Sequence, residues 1–171
     1  MEFFSVLESR HSIRAYLPMA VEDAKLDAIL AAANGAPSAV NAQSYEIYIT
    51  KTRDSIDRIA AATWNQGFIA QAPVVLVFCS HPARGEAQLG AEGARLFALQ
   101  DATIACTFAM LAATAQGLAT VWIGAFDPAA VGRAIGAPEG VTPVAILPIG
   151  YAAQQHELTG RRAIADLVHP V

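Results

Sequence analysis

Residues 94–116, ARLFALQDATIACTFAMLAATAQ, stand between Gly93 and Gly117 and read as one long helix around which the rest of the chain is arranged. At about 1.5 Å per residue such a helix is about 35 Å long, enough to cross a small domain. Arg95 and Asp101 are its only charges, both in its first half. From Ala102 onward nearly every side is apolar or hydroxyl-bearing, which predicts a helix buried all round instead of along one stripe. The uncharged run is too short for a membrane span, and its threonines suit a packed interior where their hydroxyls bond back to helix carbonyls. A helix buried so fully in a small protein needs cover from more than one subunit's layers, which raises the expectation of a dimer.

The 171 residues suit one domain spanning 1–171, with no repeat, low-complexity tract or linker to divide it. The chain is 54% hydrophobic and 15% charged, against about a quarter charged in ordinary globular proteins, so part of its surface is expected to be apolar and hidden in an interface. A formal charge of -4 with no basic cluster argues against nucleic acid or an anionic membrane as partner. MEFFSVLESRHS lacks the zones of a secretory signal. Cys79 and Cys106 sit in apolar runs without metal-type spacing and read as buried thiols, not a disulfide. Both features predict a reducing, cytoplasmic setting.

Residues 2–8 read as a short helix with Phe3, Phe4 and Leu7 on its apolar side. If the stretch after it is extended, a period of two places Arg10, Ser12 and Arg14 on one face, all able to donate to an anion; a solvated charged bend is the alternative reading. Residues 22–33 form a helix with Leu26, Ile29 and Leu30 inside, stopped by Asn34-Gly35. The polar segment 36–44, APSAVNAQS, is a loop with a helical turn whose hydroxyls and amides suit an uncharged polar ligand. Residues 45–50 read as a strand, 52–63 as a helix with Asp57 and Arg58 in water, and 74–79 (VVLVFC) as a central strand. Residues 80–93 look like a loop and mobile rim, with His81 lacking a nearby acid. Residues 119–123 read as a buried strand, Asp127-Pro128 as an N-cap and N1 pair, and 143–149 as a fourth strand in which Pro148 fits an edge or strand end. The tail from Gly150 is expected to cross a surface.

Most standard engines are absent: HExxH, paired-cysteine metal sites, a P-loop and GxGxxG. No metal site is expected. His156 and His169 keep a hydrolase alternative open without a GxSxG elbow. Anion donors at both ends, neutral donors in the first third and a glycine exit from a buried strand suit a phosphorylated cofactor that carries the chemistry itself.

RHSIRAYLP, VEDAKLDAILAAANGAPSAVNAQSYEIYI, APVVLVF, AATAQGLATVWIGAF and PIGY follow one another in an order that resembles the short members of the flavin-dependent nitroreductases, from end to end of the chain. The resemblance implies an α+β fold, with helices on both faces of a mostly antiparallel sheet completed by a strand from the partner subunit's tail. It also implies a homodimer with flavin mononucleotide (FMN) sites at the interface. By the family pattern, Arg10, Ser12 and Arg14 approach the phosphate, ribityl or pyrimidine edge, with His11, where the family often has arginine, beside them. Pro37, Ser38, Asn41 and Gln43 approach the ring and ribityl from the other subunit. Trp122, Ile123 and Gly124 line one side of the ring, with backbone N–H groups near flavin N5. Arg161 and Arg162 match the family's basic position by the phosphate, although Ala163 stands in place of the usual proline.

The implied activity is an NADH- or NADPH-dependent oxidoreductase that reduces nitroaromatic, quinone or related electron-poor acceptors by a ping-pong mechanism. Flavin N5 carries the chemistry and no side chain is catalytic. Arg14 is the candidate to stabilise reduced flavin, and Phe68, Phe126 and the His81 loop are candidates to shape the acceptor slot. The alternatives are a specialised enzyme of the same fold, for dehalogenation or flavin fragmentation, and a flavin-binding protein without turnover.

Overall fold

In the computed structural model, which describes residues 2–155 and 159–171, four strands form one antiparallel sheet. They are β1 (Tyr45–Thr50), β2 (Val74–Ser80), β3 (Ala119–Thr120) and β4 (Thr142–Gly150), in the order β1-β2-β4-β3. The α-helices among the described residues, α1 (Phe3–Ser9), α2 (Asp23–Asn34), α3 (Arg53–Ala61), α4 (Glu86–Ala115) and α5 (Pro128–Ile135), cover both faces. The expected α+β architecture of helices on a mostly antiparallel sheet is therefore present within one chain. His156 lies outside the described residues.

Every residue of β2 is buried, and alternation along the strand sorts them into two cores. Val74, Leu76 and Phe78 pack with Leu26 and Ile29 of α2 and Ala102, Ala105 and Ala109 of α4. Val75, Val77 and Cys79 pack on the other face with Ile56 and Ile59 of α3 and Val131 of α5. An antiparallel sheet commonly leaves one face to water; here both are covered, so VVLVFC has no polar alternation. Cys106 belongs to the first core and Cys79 to the second, and both are free thiols. Burial, aided by the nearby Glu46 charge, pushes Cys79 up to about 12, and burial raises Cys106 as well.

The long helix differs from expectation in extent and in facing. It begins at Glu86, so the expected loop over 80–93 is helical from residue 86 onward apart from Gly90. Pro82–Arg84 makes a 3-10 turn into it, and the break in the run falls at Gly90 (φ 67°, ψ 165°), a backbone open to glycine. Within one subunit the helix is not buried all round. Ala94, Ala98, Ala102, Ala105, Ala109 and Ala113 recur at helical spacing and are fully buried, whereas Leu96 (54%) and Leu99 (48%) are exposed. Small residues let the α4 backbone approach α2 and the sheet, and Leu96, Leu99 and Phe108 are left on the outer face, whereas Ile104 and Met110 pack at the edge of the core. Three threonines do bond back, Thr103, Thr107 and Thr114 donating to Leu99 O, Thr103 O and Met110 O at 2.8, 2.9 and 3.0 Å. By length and apolarity α4 meets the requirement of a membrane span; its alanine face is core.

Two further expectations change. Residues 119–123 pair with β4 only over Ala119–Thr120, with Ile123 rejoining through a single bridge to Ile146. Pro148 lies in a central strand, opposite Val75, not at an edge. Ile146 and Ile123 exchange backbone bonds of 2.9 and 3.0 Å, so Pro148, two residues on, directs its nitrogen to the same side. That side faces the gap where the neighbouring chain has left the ladder, and no bond is lost there.

The helix ends follow their sequence signals. Asp127 Oδ1 accepts from the Ala129 and Ala130 amides at 2.9 and 3.1 Å, and Gly136 closes α5 in the left-handed conformation. At the N-terminus α1 buries Val6 only, and Phe3, Phe4 and Leu7 point outward.

Candidate functional site

Backbone pairing lays the segment after α1 along the end of the sheet. Ser12 bridges Thr120, the Ile13 amide donates to Thr120 O at 3.0 Å, and Leu17 N and Ala153 N donate to Tyr151 O and Ala15 O at 2.8 and 2.9 Å. Ile13 and Tyr16 point inward, with Tyr16 Oη donating to Ile13 O at 2.9 Å and burial raising the phenol well above its usual value. Alternation then turns Ser12 and Arg14 outward. Arg10, His11, Ser12 and Arg14 line a cavity of about 480 Å³ together with Gln154, Gln155, Thr159 and Arg161. Three arginines border it with hydroxyl and amide groups, Arg161 Nη1 donating to Thr159 O and Gly160 O at 3.0 and 2.9 Å, and among the described residues no carboxylate lines it, a set that suits an anion. Next to it, the Thr120 hydroxyl is buried without a partner among the described residues, on a smaller cavity of about 220 Å³ that shares His11 and Gln154.

Of the two tail arginines only Arg161 enters this cavity. Arg162 Nη2 instead donates to Asp166 O at 2.6 Å. Pro37, Ser38, Asn41 and Gln43 are not among the lining residues either; they sit on the loop between α2 and β1. Ser38 Oγ accepts from the Gln43 amide at 3.1 Å, and Gln43 Nε2 donates to Asn34 Oδ1 at 3.4 Å. Trp122, Ile123 and Gly124 also fall outside the cavity lining. Trp122 packs on the α2 and α4 side and Ile123 on the other. The Ile123 N–H is engaged by Ile146 O, so the expected ring donors reduce to Trp122 and Gly124.

The slot candidates are mainly packing. Phe126 is buried in the α3 and α5 core, Phe68 packs partly against it, and His81 is tied down. His81 Nδ1 lies 2.8 Å from Glu46 Oε1, which also accepts from Arg84 Nε at 2.9 Å and Nη2 at 2.6 Å. The acid missing beside His81 in the sequence is thus supplied by β1. Although partial desolvation opposes it, the His81 and Arg84 hydrogen bonds hold the Glu46 carboxyl below its ordinary value. A lowered folded-state pKa contributes stability above the unfolded carboxylate pKa and loses it as pH falls through the folded one. Glu46→Gln should therefore flatten the acid limb of the stability curve, as read by urea denaturation across pH.

Sequence reasoning missed Asp101, which is 2% exposed and accepts from the Ala39 amide through Oδ1 at 3.0 Å and the Ser44 amide through Oδ2 at 3.2 Å. The signal was present as a lone carboxylate in an alanine-rich buried helix. A wider cleft of about 590 Å³ between β1, α3 and α5 brings in Arg58, which pairs with Asp54, and Arg133; no expected site residue borders it.

Comparison with known proteins bears on what this arrangement serves. The family model described as Nitroreductase family matches residues 7–67 and 60–151. The chain is similar to the FMN reductase (NAD(P)H) of Bacillus subtilis strain 168, with 32% identity covering 90% of this chain and 67% of that one. It is similar to the NADH dehydrogenase of Thermus thermophilus, with 30% identity covering 85% and 84%. Among solved structures, Bacillus megaterium NfrA2 superposes with a TM-score of 0.90 at 28% identity, covering 99% of this chain and 74% of that one. A nitroreductase family protein from Clostridium novyi NT gives 0.80 at 28%, covering 89% and 86%.

Proposed function

Because the chain belongs to the nitroreductase family, we propose that it is an FMN-dependent oxidoreductase that takes hydride from NADH or NADPH and passes it to nitroaromatic, quinone or related electron-poor acceptors. The observation that carries this reading is the cavity lined by Arg10, Ser12, Arg14 and Arg161. A phosphate monoester needs several donors at one place, and the described lining offers three arginines with hydroxyl and amide groups. FMN, when bound, supplies hydride chemistry in both directions, which accounts for a chain without an acid-base engine of its own.

The chain's share is to bind and orient. Arg10, His11, Ser12, Arg14 and Arg161 hold the phosphorylated end, with Arg14 nearest in role to the pyrimidine edge. Pro37, Ser38, Asn41 and Gln43 serve the ring and ribityl. Trp122 and Gly124 bound the ring, with Ile123 fixing their position through the sheet. Arg162 is not assigned a contact.

A second copy completes the site. The ring-side loop and the phosphate cavity are separate in one subunit, as expected if each site draws on two. The outward Phe3, Phe4, Leu7, Leu96 and Leu99 give the apolar surface that such a dimer covers, and Ile164, Leu167 and Val168 leave an apolar tail to lie across the partner. The same surface accounts for the low charge of the chain.

The test is direct. Purified protein should carry FMN or take it up, its visible flavin band should bleach under anaerobic NADH or NADPH, and menadione or nitrofurazone should restore the band with parallel-line steady-state kinetics. Failure to bind FMN removes the reading. Binding without turnover leaves the storage or sensing alternative.

A further inference from the structure

We propose that Asp101 is a positioning residue for the cofactor: from inside α4 it holds the loop 37–44 in the shape that presents Ser38, Asn41 and Gln43, an inference that rests on the FMN reading above. The loop is unusual in its backbone. Val40, Asn41 and Gln43, none of them glycine, have φ of 47°, 57° and 47°. Side chains carrying a Cβ avoid this region, so three such residues within four positions persist only where the surroundings over-determine them.

Asp101 supplies that constraint. Its two oxygens accept the amides of Ala39 and Ser44, the residues on either side of the strained run. Between them the loop is closed on itself. Asn41 N and Ala42 N donate to Ser38 O and Ala39 O at 3.1 and 2.9 Å, Gln43 N donates to Ser38 Oγ, and Tyr45 N donates to Gln43 O at 2.7 Å. Ser44 O in turn accepts from His81 N at 2.9 Å, which ties the loop's end to the end of β2. Asn41 and Val40 are left exposed at the crest.

The position argues for function over packing. Ala98, Ala102 and Ala105 on the same face of α4 show what bare packing demands there. A carboxylate in their midst is costly to bury unless both oxygens are bonded, and the loop backbone provides the bonds. The loop is thereby pre-organised before a ligand arrives, which lowers the ordering cost of binding.

The variant that tests this is Asp101→Asn in the full chain. The amide keeps the volume but offers one acceptor where two are used, so one loop amide loses its partner. Binding is followed by flavin fluorescence in titrations with FMN and with riboflavin. The expected result is that both affinities fall by the same factor, about tenfold or more, with an altered visible circular dichroism of the bound flavin and a melting temperature lowered by about 2–10 °C, the cost of one loop amide left without its acceptor. Amide exchange of the flavin-free protein should show Ala39 and Ser44 losing protection while α4 amides keep theirs. Equal FMN affinity and an unchanged flavin spectrum in Asp101→Asn and wild type overturn the inference alone. A wild type that binds no FMN overturns the functional reading and this inference with it. If the variant does not fold, exchange in flavin-free wild type decides: protected Ala39 and Ser44 amides uphold the proposal, and exchange at the rate of open loop amides overturns it.

Discussion

In the double variant Arg10→Ala/Arg161→Ala, FMN affinity is expected to fall about 10²–10⁴-fold while riboflavin affinity changes by less than about threefold. Hydrogen bonds to a charged group are worth about 1.5–3 kcal/mol each, and 1.4 kcal/mol is about tenfold in affinity. Both arginines line the anion cavity, one from each end of the chain, and no carboxylate among the described lining residues competes for them. Riboflavin lacks the phosphate, so a loss confined to FMN identifies what the two arginines read. Arg162→Ala serves as the control, because its guanidinium is turned to Asp166 O; it should bind FMN as wild type does. Arg14→Ala should weaken FMN and riboflavin alike if Arg14 serves the pyrimidine edge. An equal loss of FMN and riboflavin in the double variant would show that the cavity does not recognise phosphate.

The parts of this site that could be read in the sequence are those carried by local rules. Period two put Arg10, Ser12 and Arg14 on one face, and Ile13, buried between the exposed Ser12 and Arg14, is what makes that period real; Tyr16 turns inward where the alternation has ended. Asp127-Pro128 and Asn34-Gly35 marked helix ends because capping is decided within a few residues. What stayed hidden depends on pairing between distant residues. Glu46 meets His81 only because β1 and β2 are antiparallel neighbours, with Glu46 opposite Cys79. Asp101 meets Ala39 and Ser44 only because α4 runs beneath the loop. The facing of α4 failed for another reason: a helix rich in both alanine and leucine has no polar stripe to mark its outside, and close backbone approach, not hydrophobicity, decided that alanine goes in. Pro148 was misjudged because a central strand was taken to need every ladder bond, whereas its neighbour is interrupted between Thr120 and Ile123.

The outer face of α4 yields the largest expected change in assembly. Leu96, Leu99, Thr103 and Thr107 recur at helical spacing on the outer side, and the two threonine hydroxyls are bonded to their own helix carbonyls. Their methyl groups therefore join the leucines in an apolar strip with no polar demand on a partner. In the proposed homodimer this strip is covered by the second copy, so Leu96→Arg/Leu99→Arg would place two guanidinium groups per subunit in an apolar contact, with Glu92, one turn before position 96, the nearest acid along the helix. Burying an unpaired charge costs several kcal/mol per site, and a two-fold interface pays it twice. The expected outcome in sedimentation equilibrium is a monomer at concentrations where the wild type is a dimer. The core should survive, because the alanine face of α4 is untouched and the altered positions are already at the surface; far-UV circular dichroism should match wild type. FMN should be lost together with the dimer, since the phosphate cavity and the loop held by Asp101 would no longer belong to one site. A variant that stays dimeric would move the interface away from α4, and a folded monomer that keeps full FMN affinity would show that one subunit builds the site unaided.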